Sequence, residues 1–231
     1  MRNKVLLKVN RYSQKKSECA VAACSSLTNF YNPSVDYKQV RSHLNGQAKN
    51  GMTSPEQALL LNALGLKNIT LVSADTSIFD FSWCNRSTKW KIARLEKLRT
   101  YYKRSDYYGD DDVEHVGNFI KFLEASDMGN NLIIDWDFPK WIKSHIRKGN
   151  PVAASINYTS YFKMPKERYD SWDDIKGEAV EHAIIIRGFD DEYVYVVDSQ
   201  GRRTKEYSGY YRIKWEHFLV NTGVGDLILV G

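Results

Sequence analysis

The spacing of apolar residues changes between the two halves of the chain. In the first half they recur every three or four positions, which is typical of amphipathic helices. In the second half they form short runs bounded by Gly, Pro or Asp, which are typical of strands. The first helix is predicted after Ser17, with Ala20, Cys24 and Leu27 on one stripe and Asn-Pro at 32–33 as its end. Helices followed by strands favour an α+β fold over regular βαβ alternation.

Other elements follow from the same pattern. A helix with Ser54 as N-cap, Pro55 in its first turn and Gly65 as a left-handed stop has the clearest ends. Two amphipathic helices are predicted within 80–131, and a polar loop over 158–178. Further helices are predicted at 36–44 and 137–148, and strands at 66–73, 151–157, 182–198, 210–215 and 226–230.

Length and cysteine content limit the class of protein. A chain of 231 residues can form a single large domain with a substantial core, and we predict one domain over 1–231. The three cysteines are an odd number without zinc-ligand spacing, so neither a disulfide framework nor a structural metal site is indicated. No cofactor is predicted, and the pattern suits a reducing compartment.

Charge and hydropathy point away from nucleic acids and membranes. Eight Lys or Arg residues stand against Glu96 between Arg86 and Arg104, but five acidic residues follow at 106–114, so this region can neutralise itself. Its aromatic residues, within 83–108, favour core packing over base stacking. Lys8 interrupts the first apolar run, and no run approaches the roughly 18 residues that cross a bilayer. We expect a protein that is cytoplasmic or released without a Sec signal.

A predicted hairpin pairs a histidine with an aspartate. The stretch "HAIIIRGFDDEYVYVVD" has two β-rich arms around a turn. A turn centred on Asp190 places His182 directly opposite Asp198, with Cβ atoms about 5 Å apart. Such a pair can serve as base and orienter for a nucleophile, or simply be a buried histidine satisfied by a carboxylate. A one-residue bulge would put the two side chains on opposite faces.

Two cysteines compete as the nucleophile. Five residues correspond to about 500° of helix, so Cys19 and Cys24 lie about 140° apart on the cylinder. Cys24 shares the apolar stripe and is predicted to be a core residue. Cys19 falls in the first turn if Ser17 is the cap, where free N–H groups and the helix dipole favour a thiolate and can stabilise an oxyanion. Gln14, just upstream, can add a side-chain amide as a second donor.

These residues resemble a known family. The segment "QKKSECAVAACSSL" is similar to the motif Q-x(5)-[DE]-C-G-x-A-[CA]-L-x-M of papain-like cysteine peptidases that process bacteriocins with double-glycine leaders. Three further segments resemble that family in the same order: "GMTSPEQALLLNALGL", "WIKSHIRKGNPVAASIN" and "HAIIIRGFDDEYVYVVDSQG". The similarity is closest to stand-alone members without a transporter, and residues 80–131 look like a helical insertion.

The resemblance implies a papain-like fold, in which the helix bearing the nucleophile packs on a C-terminal antiparallel sheet. It implies Cys19 as nucleophile, His182 as base, Asp198 as orienter and Gln14 as oxyanion donor, acting on a peptide or protein substrate. Gln14 is five residues before the cysteine, closer than in the motif, Ala20 replaces a glycine and Ser199 replaces a proline.

Two alternatives remain open. The same triad could transfer the acyl group to an amine, as in a transglutaminase-like acyl transferase. A papain-like scaffold could also act without catalysis, as a binding or structural protein that uses the 80–131 insertion. The remaining histidines (His43, His115, His145, His217) and Cys84 are predicted to be structural or surface residues. Nothing in the sequence indicates an oligomeric state.

Overall fold

The computed structural model describes residues 4–15, 17–44, 51–168, 171–200, 208–222 and 225–231. The helices are α1 (Cys19–Tyr31), α2 (Tyr37–Ser42), α3 (Ser54–Ala63), α4 (Thr88–Arg104), α5 (Asp110–Glu124), α6 (Phe138–Arg147), α7 (Tyr158–Tyr161) and α8 (Trp215–Thr222). The strands are β1 (Val5–Leu6), β2 (Ile69–Ser73), β3 (Asn131–Ile134), β4 (Val152–Asn157), β5 (Glu167–Arg168), β6 (Ser171–Trp172), β7 (Glu181–Phe189), β8 (Tyr193–Asp198), β9 (Tyr210–Lys214) and β10 (Asp226–Val230). Short 3-10 turns lie at Phe81–Trp83 and Ser126–Met128.

One sheet organises these elements. Its order is β3-β2-β10-β4-β7-β8-β9, and β1 pairs with β7. β2 and β3 are parallel, and the other described pairs in this sheet are antiparallel. The predicted α+β class is therefore confirmed, and the papain-like arrangement places α1 against β7. The sheet is larger than expected, because β2 and β3 from the helical part of the chain join it.

The two faces of the sheet carry separate apolar cores. Ala183 and Ile185 of β7 pack with residues of α1, α3 and α5, and Ile184 and Ile186 pack with residues of α6 and α8 on the other face. The alternation follows from the two-residue period of a strand. His182 shares the face of Ile184, while Glu181 shares the face of Ala183.

Local chemistry shifts some predicted boundaries. The N-cap of α3 is Thr53, not Ser54, because Glu56 accepts the Thr53 N–H at 2.9 Å and completes a capping box. Gly65 has φ +89°, as the predicted left-handed stop requires. The predicted loop 158–178 contains α7, whose start is capped by the Asn157 side chain, and the small β5–β6 hairpin. α8 was not predicted.

The region 80–131 contains the two predicted helices, α4 and α5. Leu95, Val116 and Phe119 belong to the same core cluster as the apolar residues of α1, so this region packs onto the rest of the chain. That residues 80–131 are an insertion, and that 1–231 is a single domain, stay predictions.

The register of the β7–β8 hairpin differs from the prediction. Asp198 lies opposite Ile184, not opposite His182, and the pairing shifts at a bulge between Ile186 and Gly188. Compared with the prediction, the turn shifts the pairing by an odd number of residues, and the bulge shifts it by one residue more. The total shift is even, so the side chains of His182 and Asp198 still lie on the same face of the hairpin. They are diagonal neighbours, whose Cβ atoms lie within about 7–8 Å, a span that an imidazole and a carboxylate can close.

Candidate active site

The first turn of α1 carries Cys19. Its N-cap residue is Glu18, whose side chain makes no capping hydrogen bond. That carboxylate is 2% exposed and instead accepts hydrogen bonds from the Tyr37 hydroxyl and from Arg41 Nε, the latter at 2.9 Å. Ser17 is not the cap that was predicted, since it adopts a left-handed conformation with φ 58°. The first N–H groups of α1 therefore receive no hydrogen bond from the N-cap side chain, and that of Ala20 interacts with the Cys19 thiol.

The Cys19 thiol lies among hydrogen-bonding groups. It interacts with the His182 side chain and with the backbone N–H groups of Ala183 and Ala20. Partial burial alone would raise its pKa, but the hydrogen bond and charge of His182 and the two N–H groups outweigh burial and lower it. The surroundings therefore favour the thiolate.

His182 and Asp198 form a buried pair. His182 Nε2 lies 2.7 Å from Asp198 Oδ1, and the two residues are 3% and 2% exposed. Burial lowers the pKa of His182, but the Asp198 carboxylate and the Cys19 sulfur raise it well above the ordinary histidine value. Burial raises the pKa of Asp198, whereas its hydrogen bond to His182 and its other contacts bring it below the usual aspartate value. Since Nε2 is held by Asp198, Nδ1 is the nitrogen left for the thiol.

Gln14 is anchored to the end of β8. Its backbone N–H donates to the Ser199 carbonyl oxygen at 3.3 Å, and its side-chain Oε1 accepts from Ser199 Oγ at 2.6 Å. Arg11 strengthens this junction by donating from Nε to the Asp198 carbonyl oxygen at 2.7 Å. Because Ser199 holds the amide oxygen, the NH₂ group of Gln14 is the end of the side chain that remains for another acceptor.

The sequence of this chain matches a known protein family. The family model described as the Peptidase C39-like family matches residues 6–221. The chain belongs to the Peptidase C39-like family. The prediction of a cysteine peptidase, a hydrolase that acts on a peptide or protein, is confirmed at this level. No curated protein matches the sequence significantly.

Solved structures similar to this C39-like peptidase are distant in sequence. A crystal structure of a C39-like peptidase from Bacillus anthracis is 14% identical, covers 98% of both chains and has a TM-score of 0.47. Xylellain, a cysteine protease from Xylella fastidiosa, is 15% identical over 98% of this chain and 85% of its own, with a TM-score of 0.40. These similarities are too low to assign a role to any residue.

Several neighbours of the site in this C39-like peptidase were not predicted. The Tyr211 hydroxyl donates to Asp198 Oδ2 at 2.8 Å, and the Gln200 N–H donates to Oδ1 at 2.8 Å. The ring centroid of Tyr158 lies 4.8 Å from that of His182. In the sequence, both tyrosines stand in aromatic stretches where packing is the ordinary interpretation, so no signal separated them from core residues.

Other candidate residues of the C39-like peptidase have structural surroundings. Cys24 is 2% exposed in the core, and burial raises its pKa to about 12. Cys84 Sγ contacts the carbonyl oxygen of Ile134 at 3.1 Å. His145 Nε2 accepts the Val230 N–H at 3.3 Å, and burial lowers its pKa to about 4. These contacts agree with the predicted structural roles.

The described residues include neither a cluster of metal ligands nor a helix that could span a membrane. No group of three or more His, Cys, Asp or Glu side chains among them is arranged to hold a metal ion. None of the helices described above is both long enough and apolar enough to cross a membrane.

Proposed function

We propose that Cys19, His182 and Asp198 form the catalytic triad of a peptide hydrolase, with Gln14 as a donor to the oxyanion. The observation that carries this proposal is the chain of contacts from the Cys19 thiol to His182 and from His182 Nε2 to Asp198 Oδ1 at 2.7 Å. The lowered pKa of Cys19 and the raised pKa of His182 support a thiolate–imidazolium pair. The same shift favours an enzyme over a non-catalytic binding protein.

In the first step, the Cys19 thiolate attacks the carbonyl carbon of the substrate and forms an S–C bond. The oxyanion that develops is stabilised by N–H donors at the start of α1 and by the Gln14 amide. The intermediate collapses when the C–N bond breaks, and the proton on His182 passes to the departing amine. Asp198 holds the imidazole in place and stabilises its positive charge.

In the second step, His182 accepts a proton from water, and the resulting hydroxide attacks the thioester carbon. The S–C bond breaks, which releases the carboxylic acid and restores the thiolate and the imidazolium. An amine in place of water would give acyl transfer from the same acyl-enzyme. No contact in the site favours an amine, so hydrolysis is the proposed reaction.

Replacement of each cysteine tests the proposal. Cys19→Ala should abolish peptide hydrolysis and alkylation by iodoacetamide near pH 7, because it removes the thiolate. Cys24→Ala is the matched control from the same helix and should retain both. Gln14→Ala should lower kcat by about 10²-fold while Cys19 is still alkylated, since the amide acts on the transition state and not on the thiol. Equal alkylation of wild type and Cys19→Ala would overturn the proposal.

A further inference from the structure

A large cavity lies beside the proposed catalytic residues. Its volume is about 640 Å³, within the range of ligand-binding clefts. Ser155 and Glu181 line it, and both flank Ala183, whose N–H interacts with the Cys19 thiol. Ser155 pairs with Ala183 across the sheet, so it is about 4.8 Å away, and Glu181 is two residues from Ala183 on the same face of β7. A side chain of a peptide bound at Cys19 can therefore reach this cavity.

The cavity concentrates negative charge in a basic protein. The chain has 33 Lys and Arg against 28 Asp and Glu, a net charge of +5. Among the described residues, those that line the cavity nevertheless include no Lys or Arg. This described lining has six acidic side chains: Glu56, Asp75, Asp111, Glu114, Glu181 and Asp226. Carboxylates gathered in a cleft focus a negative potential there, which favours a cationic ligand over an anionic or neutral one.

Two buried polar atoms of the cavity residues point to a ligand independently of this charge. Asp226 is 7% exposed and its carboxyl group interacts with Ser54 and Ser73, but its Oδ1 has no hydrogen-bond partner within the described part of the chain. His115 Nε2, in the same cavity lining, is likewise buried and unsatisfied there. Buried polar groups are ordinarily hydrogen-bonded, so two such atoms in one lining need an explanation. A donor that enters the cavity would satisfy them.

The protonation of these groups is compatible with a cation. Burial raises the pKa of Asp226 to about 6, although its interactions with Ser73 and Ser54 act in the opposite direction. Burial also lowers the pKa of His115, which keeps the imidazole neutral near pH 7 and able to accept a hydrogen bond. Neither group would repel an ammonium or guanidinium ion.

We propose that this cavity binds a lysine or arginine side chain of the substrate, close to the peptide bond that Cys19 attacks. The link between this cavity and cleavage rests on the proposed function. The preference for a cation rests on Asp226 and the neighbouring carboxylates. The guanidinium or ammonium group donates to Asp226 Oδ1 deep in the cavity, and the surrounding carboxylates attract it. Asp111 and Glu114 come from α5, so the 80–131 region contributes to substrate choice.

Binding of a small cation tests the site without requiring catalysis. Butylguanidinium mimics an arginine side chain, and butylurea is its neutral counterpart. Butylguanidinium should raise the Tm of the wild-type protein and compete with lysine-containing peptides, whereas butylurea should do neither. Asp226→Asn keeps the shape of the side chain but removes its charge, and should weaken butylguanidinium binding at least about tenfold. The exposed Asp127→Asn is the matched control and should bind as wild type does.

Cleavage of a randomised peptide library, read by mass spectrometry, tests the link to the reaction. Wild type should enrich Lys or Arg at one position next to the cleaved bond, and Asp226→Asn should lower that preference about tenfold. If Asp226→Asn does not fold, Glu181→Gln, on another wall, should reduce the preference in the same direction. Cation binding without any cleavage would contradict the proposed function but support the cavity assignment. Equal binding of both probes, or a preference that Asp226→Asn retains, would overturn the inference.

Discussion

Cys19 and Cys24 belong to the same helix but have opposite surroundings. Cys19 begins α1, beside His182 and two backbone N–H groups, and its pKa is lowered. Cys24 is one and a half turns further along, where apolar side chains enclose it and its Sγ has a distant contact of 3.9 Å with the Gln57 carbonyl oxygen. There burial raises the pKa to about 12. The residue type is the same, so the neighbours decide the chemistry.

The residues that give Cys19 and Cys24 different surroundings belong to the sheet. β7 delivers His182 and the N–H of Ala183 to the start of α1, and β8 delivers Asp198 to His182. Farther along α1, β7 presents the apolar Ile185 on the face that packs against the helix. One strand therefore supplies polar groups to the first turn of the helix and hydrophobic packing to its middle. This division predicts which substitutions change reactivity and which change stability.

The largest effect is expected for His182→Ala, which would make Cys19 more like Cys24. Without the hydrogen bond and charge of His182, burial dominates and the pKa of Cys19 rises. Hydrolysis should fall by about 10⁴-fold, because the base and the proton donor are both lost. The rate of iodoacetamide alkylation between pH 5 and pH 10 would report the shift in pKa. His217→Ala, an exposed histidine on α8, is the control and should match wild type.

The pH dependence of wild-type activity tests the same interaction between Cys19 and His182. As pH falls through the lowered pKa of Cys19, the thiolate is protonated and activity is lost. As pH rises through the raised pKa of His182, the imidazolium is lost and with it the proton donor for the amine. Activity should thus extend below the ordinary cysteine pKa and above the ordinary histidine pKa. A profile that rises only above the ordinary cysteine pKa would contradict the ion pair.

A smaller effect is expected for Tyr211→Phe, which acts on Cys19 only through Asp198 and His182. The Tyr211 hydroxyl donates to Asp198 Oδ2 and helps to lower the pKa of Asp198. Without this hydrogen bond, the charged form of Asp198 that holds His182 is less stabilised. We expect kcat/KM to fall by about tenfold and the free energy of unfolding by about 1 kcal/mol.

Tyr210→Phe is the matched control on the same strand. It removes a hydrogen bond of 3.0 Å from the Tyr210 hydroxyl to the Val9 carbonyl oxygen, away from Asp198. Its activity should remain near that of wild type. Equal loss of activity in the two variants would show that Tyr211 supports only the fold.

Sequence patterns predicted the elements of this site better than its geometry. Helical phase separated Cys19 from Cys24, because it depends on a local period of the backbone. His182 and Asp198 share a face as predicted, but they do so because the offset of the turn and the bulge cancel. The exact register was wrong, because both the turn and the bulge before Gly188 shift the pairing. At Gly188, β1 packs so closely that a Cβ would collide with the carbonyl oxygen of Val5. Such a contact between distant segments has no local signature.

The predicted donor and the acidic cavity illustrate the same limit. The sequence shows only the spacing between Gln14 and Cys19, whereas hydrogen bonds to Ser199 fix the position of Gln14. Asp226 is the first residue of an apolar strand, and a single carboxylate there does not indicate a binding site. Only the packing of β10 beside β2 and β4 buries it next to Ser73 and Ser54. Both cases depend on residues far apart in sequence.

The smallest effect on activity is expected for Cys24→Ser, which changes the buried cysteine of the pair Cys19 and Cys24. The hydroxyl is more polar than the thiol and has only the Gln57 carbonyl oxygen nearby as an acceptor, so its burial should cost about 1–2 kcal/mol of unfolding free energy. Urea denaturation measures that cost, while kcat/KM per folded molecule should stay within about twofold of wild type, since Cys24 touches none of the reacting groups. Cys19→Ser should behave in the opposite way, because a hydroxyl in the partly buried first turn of α1 still has polar partners but is far less acidic and nucleophilic than the thiol. Loss of activity in Cys24→Ser with unchanged stability would mean that the two cysteines act together, and that the separation by helical phase is wrong.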